Sequence, residues 1–587
     1  LYRVFVFCCL CAVLGALGSY RSAFAQNSTP TTGYDKTGSP FLSSTLNQLL
    51  ETPPSLLADT ASQFGLQFQN GRVLVTIHLN DAASANDLVA NLPAFFAELS
   101  TQFDRWIDIW VPPSQLANLA ASAGVQIVTE PARVYKFDQP TLPLHTVQTV
   151  QKALAVGTYL TQGVAASNAN AWHAASITGT GVNIAVIDSF QDYTGAITAG
   201  ELPSTISFYP NLASLDLSDP HGTAVAEIIH DMAPSAHLTF ASTTGSCTDM
   251  ANLLVQLAAA GNQIISSSVG TMQCGAGDGN TANDPIALAA QTVRNTYHAL
   301  FFQAAGNHAR RHWVGTMTDT DNDDYLEFTP GNEILLLNDG FSIPNGYPID
   351  GYLRWNAWPA TNDDFDILLL KKNSITSTWD FYDTWGGFQT GTQPPIESGF
   401  VTSDGGFFGM AIYKYSASSI NYVFDLFNFY WDFDAPIESR SLVGPATNAN
   451  TVAVAALDSV APYLRESYSS TGPTLGPGGN LGTGLSKPVI AGYANVDTWS
   501  YGAGFFNGTS AATPHVAGAA ALVWSQYRCV SASTVKTNVL SLLNSRAIDM
   551  GTVGYDFQYG NGRLYLGAPI SLTNNCTHFI YLPILLR

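Results

Sequence analysis

The sequence predicts an α/β protein built on a doubly wound parallel sheet, with a β-sandwich inserted into it and a small ferredoxin-like α/β module ahead of it. Three observations carry this expectation. Between residues 182 and 304 short, almost wholly apolar runs alternate with helical stretches, the pattern of strands buried on both faces between helices. From 311 to 440 helical periodicity nearly vanishes and aromatic-rich, strand-like runs replace it. Between 47 and 135 strands and helices interleave closely enough for a separate small unit.

The elements follow in chain order. Arg3 precedes an apolar run over 4–17, and Ala23-Phe24-Ala25 then stands before Gln26. This reads as a secretory signal peptide over 1–25. The alternative is a membrane anchor, although the run is shorter than the ~20 residues a spanning helix needs. No later segment reads as a membrane span. Residues 26–46 form a polar linker, and 47–135 form the module, with strands at 73–79, 106–111 and 125–129 and helices at 85–92 and 114–121. A connector over 136–164 leads into the main domain, whose first part is 165–310 and second part 441–570. Its strands are expected at 182–187, 238–241, 264–267, 300–304 and 451–456, and its helices at 223–230, 250–260, 285–298 and 509–526. Within 311–440 the expected strands are 334–337, 366–371, 407–415 and 421–431. The tail, 571–587, ends in an apolar stretch that Pro583 limits to an edge strand or a sorting tag.

Charge narrows the function. The 587 residues include 23 Lys and Arg against 44 Asp and Glu, a net charge of −21. Such a chain repels phosphate backbones, which argues against nucleic acid as a partner. The segment 311–440 alone holds 19 acidic and 6 basic residues, with 26 aromatics. Of the seven cysteines, four lie beyond the signal: Cys247, Cys274, Cys529 and Cys576. Four allow three pairings, and proximity in sequence favours Cys247–Cys274 and Cys529–Cys576.

Three segments carry chemistry. Asp188 ends the apolar strand Asn183-Ile-Ala-Val-Ile187, His221 opens His221-Gly-Thr-Ala-Val-Ala-Glu, and Ser510 lies in Asn507-Gly-Thr-Ser-Ala-Ala-Thr-Pro-His-Val-Ala-Gly518. Carboxylate, imidazole and hydroxyl are the parts of a nucleophilic triad: the imidazole takes the hydroxyl proton near neutral pH, and the carboxylate fixes its tautomer. Asp188 falls where parallel sheets open their sites, and His221 and Ser510 fall at helix N-termini, where free N–H groups favour negative charge. Asn307, in Gln303-Ala-Ala-Gly-Asn307, follows another buried strand, where its amide can donate to an oxyanion.

In the order Asp, His, Asn, Ser these segments resemble the subtilisin-like serine peptidases, the subtilases. Gly179-Thr-Gly-Val182 with Val186-Ile-Asp-Ser189, His221-Gly-Thr223, Ala304-Ala-Gly-Asn307 and Gly508 to Gly518 each match a family motif, as do Ser469-Ser-Thr-Gly-Pro473 and Lys487-Pro488. The resemblance implies a secreted endopeptidase in which Asp188, His221 and Ser510 cut peptide bonds through an acyl-enzyme and Asn307 holds the oxyanion. It implies polypeptide substrates that pair with Ser268, Val269 and Gly270, with Ala304, Ala305 and Gly306 forming another wall of the binding pocket. It also implies that 47–135 is a propeptide that acts as the enzyme's own inhibitor. Phe190 and Ala224 depart from the family pattern and are expected to reshape the cleft. Sedolisins, which share the fold, use Glu and Asp where this chain has His221 and Asn307. The chemistry needs no cofactor; Asp319-Thr-Asp-Asn-Asp-Asp324 with Glu327 reads as a solvated acidic loop or as a structural calcium site, and Asp363, Asp364 and Asp366 offer a second set of calcium ligands. Two other functions use the same parts: a binding or adhesion protein acting through the insert on an inactive scaffold, and a transpeptidase in which an amine replaces water.

Overall fold

The computed structural model describes residues 36–133, 135–136, 159–272, 274–527 and 530–570. The expected signal peptide, the C-terminal tail and the Cys529–Cys576 pair lie outside the described residues.

The centre is a seven-stranded sheet in which every neighbouring pair is parallel. In space the strands run Ile490–Ala494, Thr451–Asp458, Leu300–Ala304, Ile264–Ser267, Asn183–Ile187, His237–Ala241 and Ile206–Tyr209. Successive side chains of a strand point to opposite faces, and both faces are covered here. Ile184 and Val186 join a core with the helices His221–Met232 and Gly508–Trp524, while Ala185 and Ile187 join a second core with Cys247–Ala259 and Pro285–Asn295. The unbroken apolar runs of the sequence follow from this double burial. The strands at 206–209 and 490–494 and the helix Ala532–Arg546 were not anticipated.

The segment between Ala304 and Thr451 forms two antiparallel sheets. One orders His312–Gly315, Phe424–Phe427, Ile343–Trp355 and Ile396–Gly406; the other orders Tyr325–Leu326, Phe408–Ser416, Asp364–Lys372 and Trp379–Trp385. Leu353, Phe424 and Leu426 of the first share a core with Phe365, Ile367, Leu369, Met410 and Ile412 of the second. The expected strand at 421–431 is shorter than the sequence suggests, because only Phe424–Phe427 pairs. Past it, Asn428 turns the chain: its side-chain oxygen accepts from the backbone N–H groups of Tyr430 and Trp431 at 2.9 and 2.5 Å.

The N-terminal unit has its own core, from Leu42 to Val128. Its main strands lie in the order Val125–Thr129, Arg72–Leu79, Trp106–Val111, Glu98–Phe103, all antiparallel. The boundary of the expected linker moves: a helix, Ser44–Glu51, starts inside 26–46, capped by Ser43 and seated through Leu46 and Leu49. Of the expected connector, Lys136 belongs to the strand Tyr135–Lys136 and Gln162 onward to the helix Gln162–Ala166. The unit's sheet meets the helix Cys247–Ala259, where Asn252 donates to Thr101 at 3.0 Å. Asp108 accepts from Thr76 at 2.8 Å and from Ser246, the cap of that helix. Burial pushes the Asp108 carboxyl up to about 6. On the other side Lys36 enters the β-rich segment and pairs with Asp364 and Asp366 at 2.5 and 2.7 Å.

Cys247 and Cys274 form the expected disulfide, across a sequence separation of 27. In the chain-entropy treatment a loop of that length stabilises the fold by about 3–4 kcal/mol. The double variant Cys247→Ser, Cys274→Ser should therefore lose about that much in urea unfolding; an unchanged midpoint would contradict it.

Candidate active site

Asp188 directly follows the strand Asn183–Ile187, so its backbone is held by the sheet: its N–H donates to Ala241 O at 3.0 Å. Its carboxylate is buried and accepts from Ser189 N–H at 2.8 Å. His221 begins the helix His221–Met232, and its own N–H donates to Asp219 at 2.8 Å. The imidazole Nδ1 lies 2.8 and 2.9 Å from the two Asp188 oxygens. Gly222 permits this approach. Its N–H donates to Ser189 O at 2.8 Å, and a Cβ there would lie 2.4 Å from the Asp188 Cβ.

Ser510 is the third residue of the helix Gly508–Trp524 and is fully buried. This helix and that of His221 run side by side in one direction. His221 packs edge-on to Phe506 at one end, 5.5 Å between ring centroids, and at the other a Cβ on Gly518 would meet Met232 at 2.5 Å. Histidine and serine thus begin neighbouring helices. The Ser510 hydroxyl donates to Ser268 O at 3.2 Å, and Ser268 Oγ donates back to Ser510 O at 3.1 Å.

Asn307 stands beyond the strand Leu300–Ala304. Its Oδ1 accepts from both the N–H and the hydroxyl of Thr509, at 3.0 and 2.9 Å. The carbonyl end of the amide is therefore the end used to hold it against the Ser510 turn. Gly306, with φ +106°, makes the bend before it. Thr509 and Gly222 were not singled out from sequence, although both stand inside the matched motifs.

Val269–Gly270 is a two-residue strand, and it is already paired. Lys136 lies opposite Val269 and Tyr135 opposite Gly270, antiparallel. Ser268 to Gly270 and Ala304 to Gly306 are buried, and Ala304 belongs to the apolar cluster around Tyr135. Lys136 Nζ reaches within 3.5 Å of Asp219. Sequence reasoning did not identify Tyr135 and Lys136 as contacts of this edge; they form no motif and meet it only through the fold. Phe190 does not open toward a cleft: it is buried and stacked on Phe240 with centroids 4.0 Å apart, and Ala224 is equally buried.

Among the described residues two groups of carboxylates bring oxygens within 4.8 Å of one another, Asp319 with Asp321 and Asp323, and Asp364 with Asp366 and Glu397. In each a lysine is close: Lys414 at 3.0 Å from Asp319, and Lys36 at 2.7 Å from Asp366. Glu327 turns instead to Thr318, at 2.6 Å, and Asp363 to the N–H and hydroxyl of Ser418, at 2.6 and 2.9 Å.

Residues 436–562 match the family model described as the subtilase family. Subtilisin DY of Bacillus licheniformis is 36% identical over 131 residues, 22% of this chain and 41% of that protein. Subtilisin E of Bacillus subtilis (strain 168) is 36% identical over 131 residues, 22% of this chain and 29% of that protein. The match thus spans less than half the length of either relative. Among solved structures, the Clostridium perfringens CspB protease has a TM-score of 0.48 at 18% identity, covering 69% of this chain and 97% of that one. The resemblance read from the motifs is supported over this stretch: residues 436–562 are similar to the subtilase family, and the matched segment contains Ser510.

Glu227, in the middle of the His221 helix, ties that helix to the turn at 499–500 that precedes the Ser510 helix. It accepts from Trp499 N–H at 2.7 Å and from the Ser500 hydroxyl at 2.6 Å. Burial pushes its carboxyl up to about 8. Between the ordinary carboxylate range and about 8 the native state keeps a proton that the unfolded chain releases, so this group's contribution to stability falls as pH rises. Glu227→Gln should flatten the decline in urea midpoint between pH 5 and pH 8. An unaltered slope in the variant would show that Glu227 does not titrate there.

Proposed function

We propose that this chain is a secreted serine endopeptidase, made as a zymogen. The observation that carries the reading is the imidazole of His221 held by both oxygens of the buried Asp188, at the start of a helix beside the one whose first turn holds Ser510. With Nδ1–H committed to Asp188, Nε2 is the basic nitrogen. It takes the Ser510 proton as Oγ attacks the scissile carbonyl. The Asn307 amide and the Ser510 N–H hold the oxyanion; His221 then protonates the leaving amine, and water releases the acyl-enzyme. No cofactor takes part in these steps. Structural calcium on Asp319, Asp321 and Asp323 is compatible with their hard oxygen donors. Export is supported by the N-terminal sequence and by the Cys247–Cys274 disulfide.

The N-terminal unit fits the role of propeptide. Its sheet caps the helix Cys247–Ala259, and its last strand, Tyr135–Lys136, lies on Val269–Gly270, the edge that an extended substrate would use. The two sheets between 312 and 427 then form a sandwich inserted in the catalytic domain. Thr161 is tied to His515, at 2.7 Å, and to Asp231, at 2.8 Å. Chain from there on belongs to the mature enzyme, and cutting falls between Lys136 and Thr161.

Two experiments test this. Ser510→Ala and His221→Ala should each abolish reaction with a fluorophosphonate probe or peptide turnover by several orders of magnitude and to similar extents. Asn307→Ala should cost about 10²–10³ in rate, the size known for the equivalent donor in subtilisin. Near-wild-type hydrolysis by Ser510→Ala would sink the assignment, and would leave the binding-scaffold reading in its place. N-terminal sequencing of secreted protein is the second test. Wild type should begin between residues 137 and 161, whereas Ser510→Ala should begin near Gln26. An active wild type that also begins near Gln26 would make the unit a permanent domain.

A further inference from the structure

Tyr135 is more than a backbone partner of Gly270. Its side chain is buried against one strand of the first β-rich sheet and the turn that follows Phe427. The ring stacks on Phe429, with centroids 3.9 Å apart and planes 22° from parallel, and it meets Tyr352 and Tyr430 edge-on. Met272, Ala304 and Val443 complete the apolar wall. The floor is polar. The Tyr135 hydroxyl donates to Asp350 Oδ2 at 2.8 Å and hydrogen-bonds the Tyr352 hydroxyl. Asp350 is fully buried, and its other oxygen accepts from Phe429 N–H at 2.9 Å. Burial raises its carboxyl, whereas its donors, Tyr135 among them, pull it down.

A carboxylate at the bottom of an aromatic pocket discriminates between rings. A phenol adds a donor to Asp350. A phenyl ring of the same shape fills the walls but removes one of the donors to the buried carboxylate, leaving it Phe429 N–H and the Tyr352 hydroxyl, and sites of this kind discriminate against the analogue lacking the hydroxyl. The occupant here lies on the strand edge that substrates are proposed to use, so it reports what that edge and pocket accept together. We infer that this pocket is a substrate subsite selective for tyrosine over phenylalanine, with Asp350 and Tyr352 of the β-rich segment reading the phenol hydroxyl. Its ligands are extended polypeptides with tyrosine at the residue that pairs with Gly270. The inference rests on the peptidase reading given above.

Two measurements on the full-length gene product test it, one of which needs no catalysis. In the Ser510→Ala chain, adding Tyr135→Phe should speed amide hydrogen exchange at Gly270 by about tenfold or more; unchanged exchange would show that the hydroxyl does not hold the strand and would overturn the subsite. With secreted wild type, matched fluorogenic peptides carrying Tyr or Phe at each position before the cut are compared. Tyrosine should win by about tenfold or more in kcat/KM at one fixed position, and Asp350→Asn should shrink that ratio to near unity. Equal rates for Tyr and Phe at every position would overturn the subsite while leaving the peptidase reading intact. Hydrolysis of neither the peptides nor a denatured protein would overturn the peptidase reading and, with it, the claim that the pocket selects substrates, even if the exchange result held.

Discussion

A buried carboxylate next to an imidazole is costly unless every oxygen is satisfied, and the Asp188–His221 contact meets that condition through the fold. Asp188 is pinned by the sheet through Ala241, its Oδ1 is capped by Ser189 N–H, and both oxygens face His221 Nδ1. Three features serve this contact. The strand Asn183–Ile187 sits between two parallel neighbours, so its end cannot drift. Gly222 removes the one Cβ that would force the helix away. The neighbouring helix supplies Phe506 against the ring and Ser510 at its start. Moving any of them would leave a charge in a low-dielectric interior without its partner.

The candidate site was legible in the sequence because its parts are local. Asp188, His221, Asn307 and Ser510 each stand in a short motif whose residues also shape the backbone there. The parallel strands were legible because double burial writes an unbroken apolar run. Other parts were not. Ile343–Trp355 carries Pro344, Gly346 and Pro348, which read as turn, yet it is an edge-irregular strand with a register shift between Asn345 and Pro348. Glu98–Phe103 is a polar, largely exposed strand, so neither period nor hydrophobicity marks it. The helix Ser44–Glu51 was written in its cap and in Leu46 and Leu49, but a preceding polar stretch hid it. Tyr135 is the clearest case: its role depends on Gly270, Asp350 and Phe429, which no window of sequence brings together.

Lys36 shows how the acidic β-rich segment manages its charge. Its side chain is 2% exposed, among Asp364, Asp366 and the Gly387 carbonyl, and under the Tyr415 ring. Burial alone would push the Glu397 carboxyl up, and the nearby ammonium acts against that. The N-terminal unit therefore supplies a cation to a site it does not otherwise contain. Its hold on the rest of the protein combines that buried ion pair, the Asp108 contacts and two paired backbone residues at the strand edge.

The strands Leu300–Ala304 and Thr451–Asp458 are adjacent in the sheet, in register from Phe301 with Thr451 to Ala304 with Val454. Everything between them leaves and re-enters the sheet as if it were one crossover. Loop-closure entropy grows only logarithmically with length, so the sheet is nearly indifferent to how much chain that crossover holds, provided the guest folds on a core of its own, as this one does. The parallel sheet thus acts as a socket. A module plugged in at this point arrives within reach of Ala304 and Gly270.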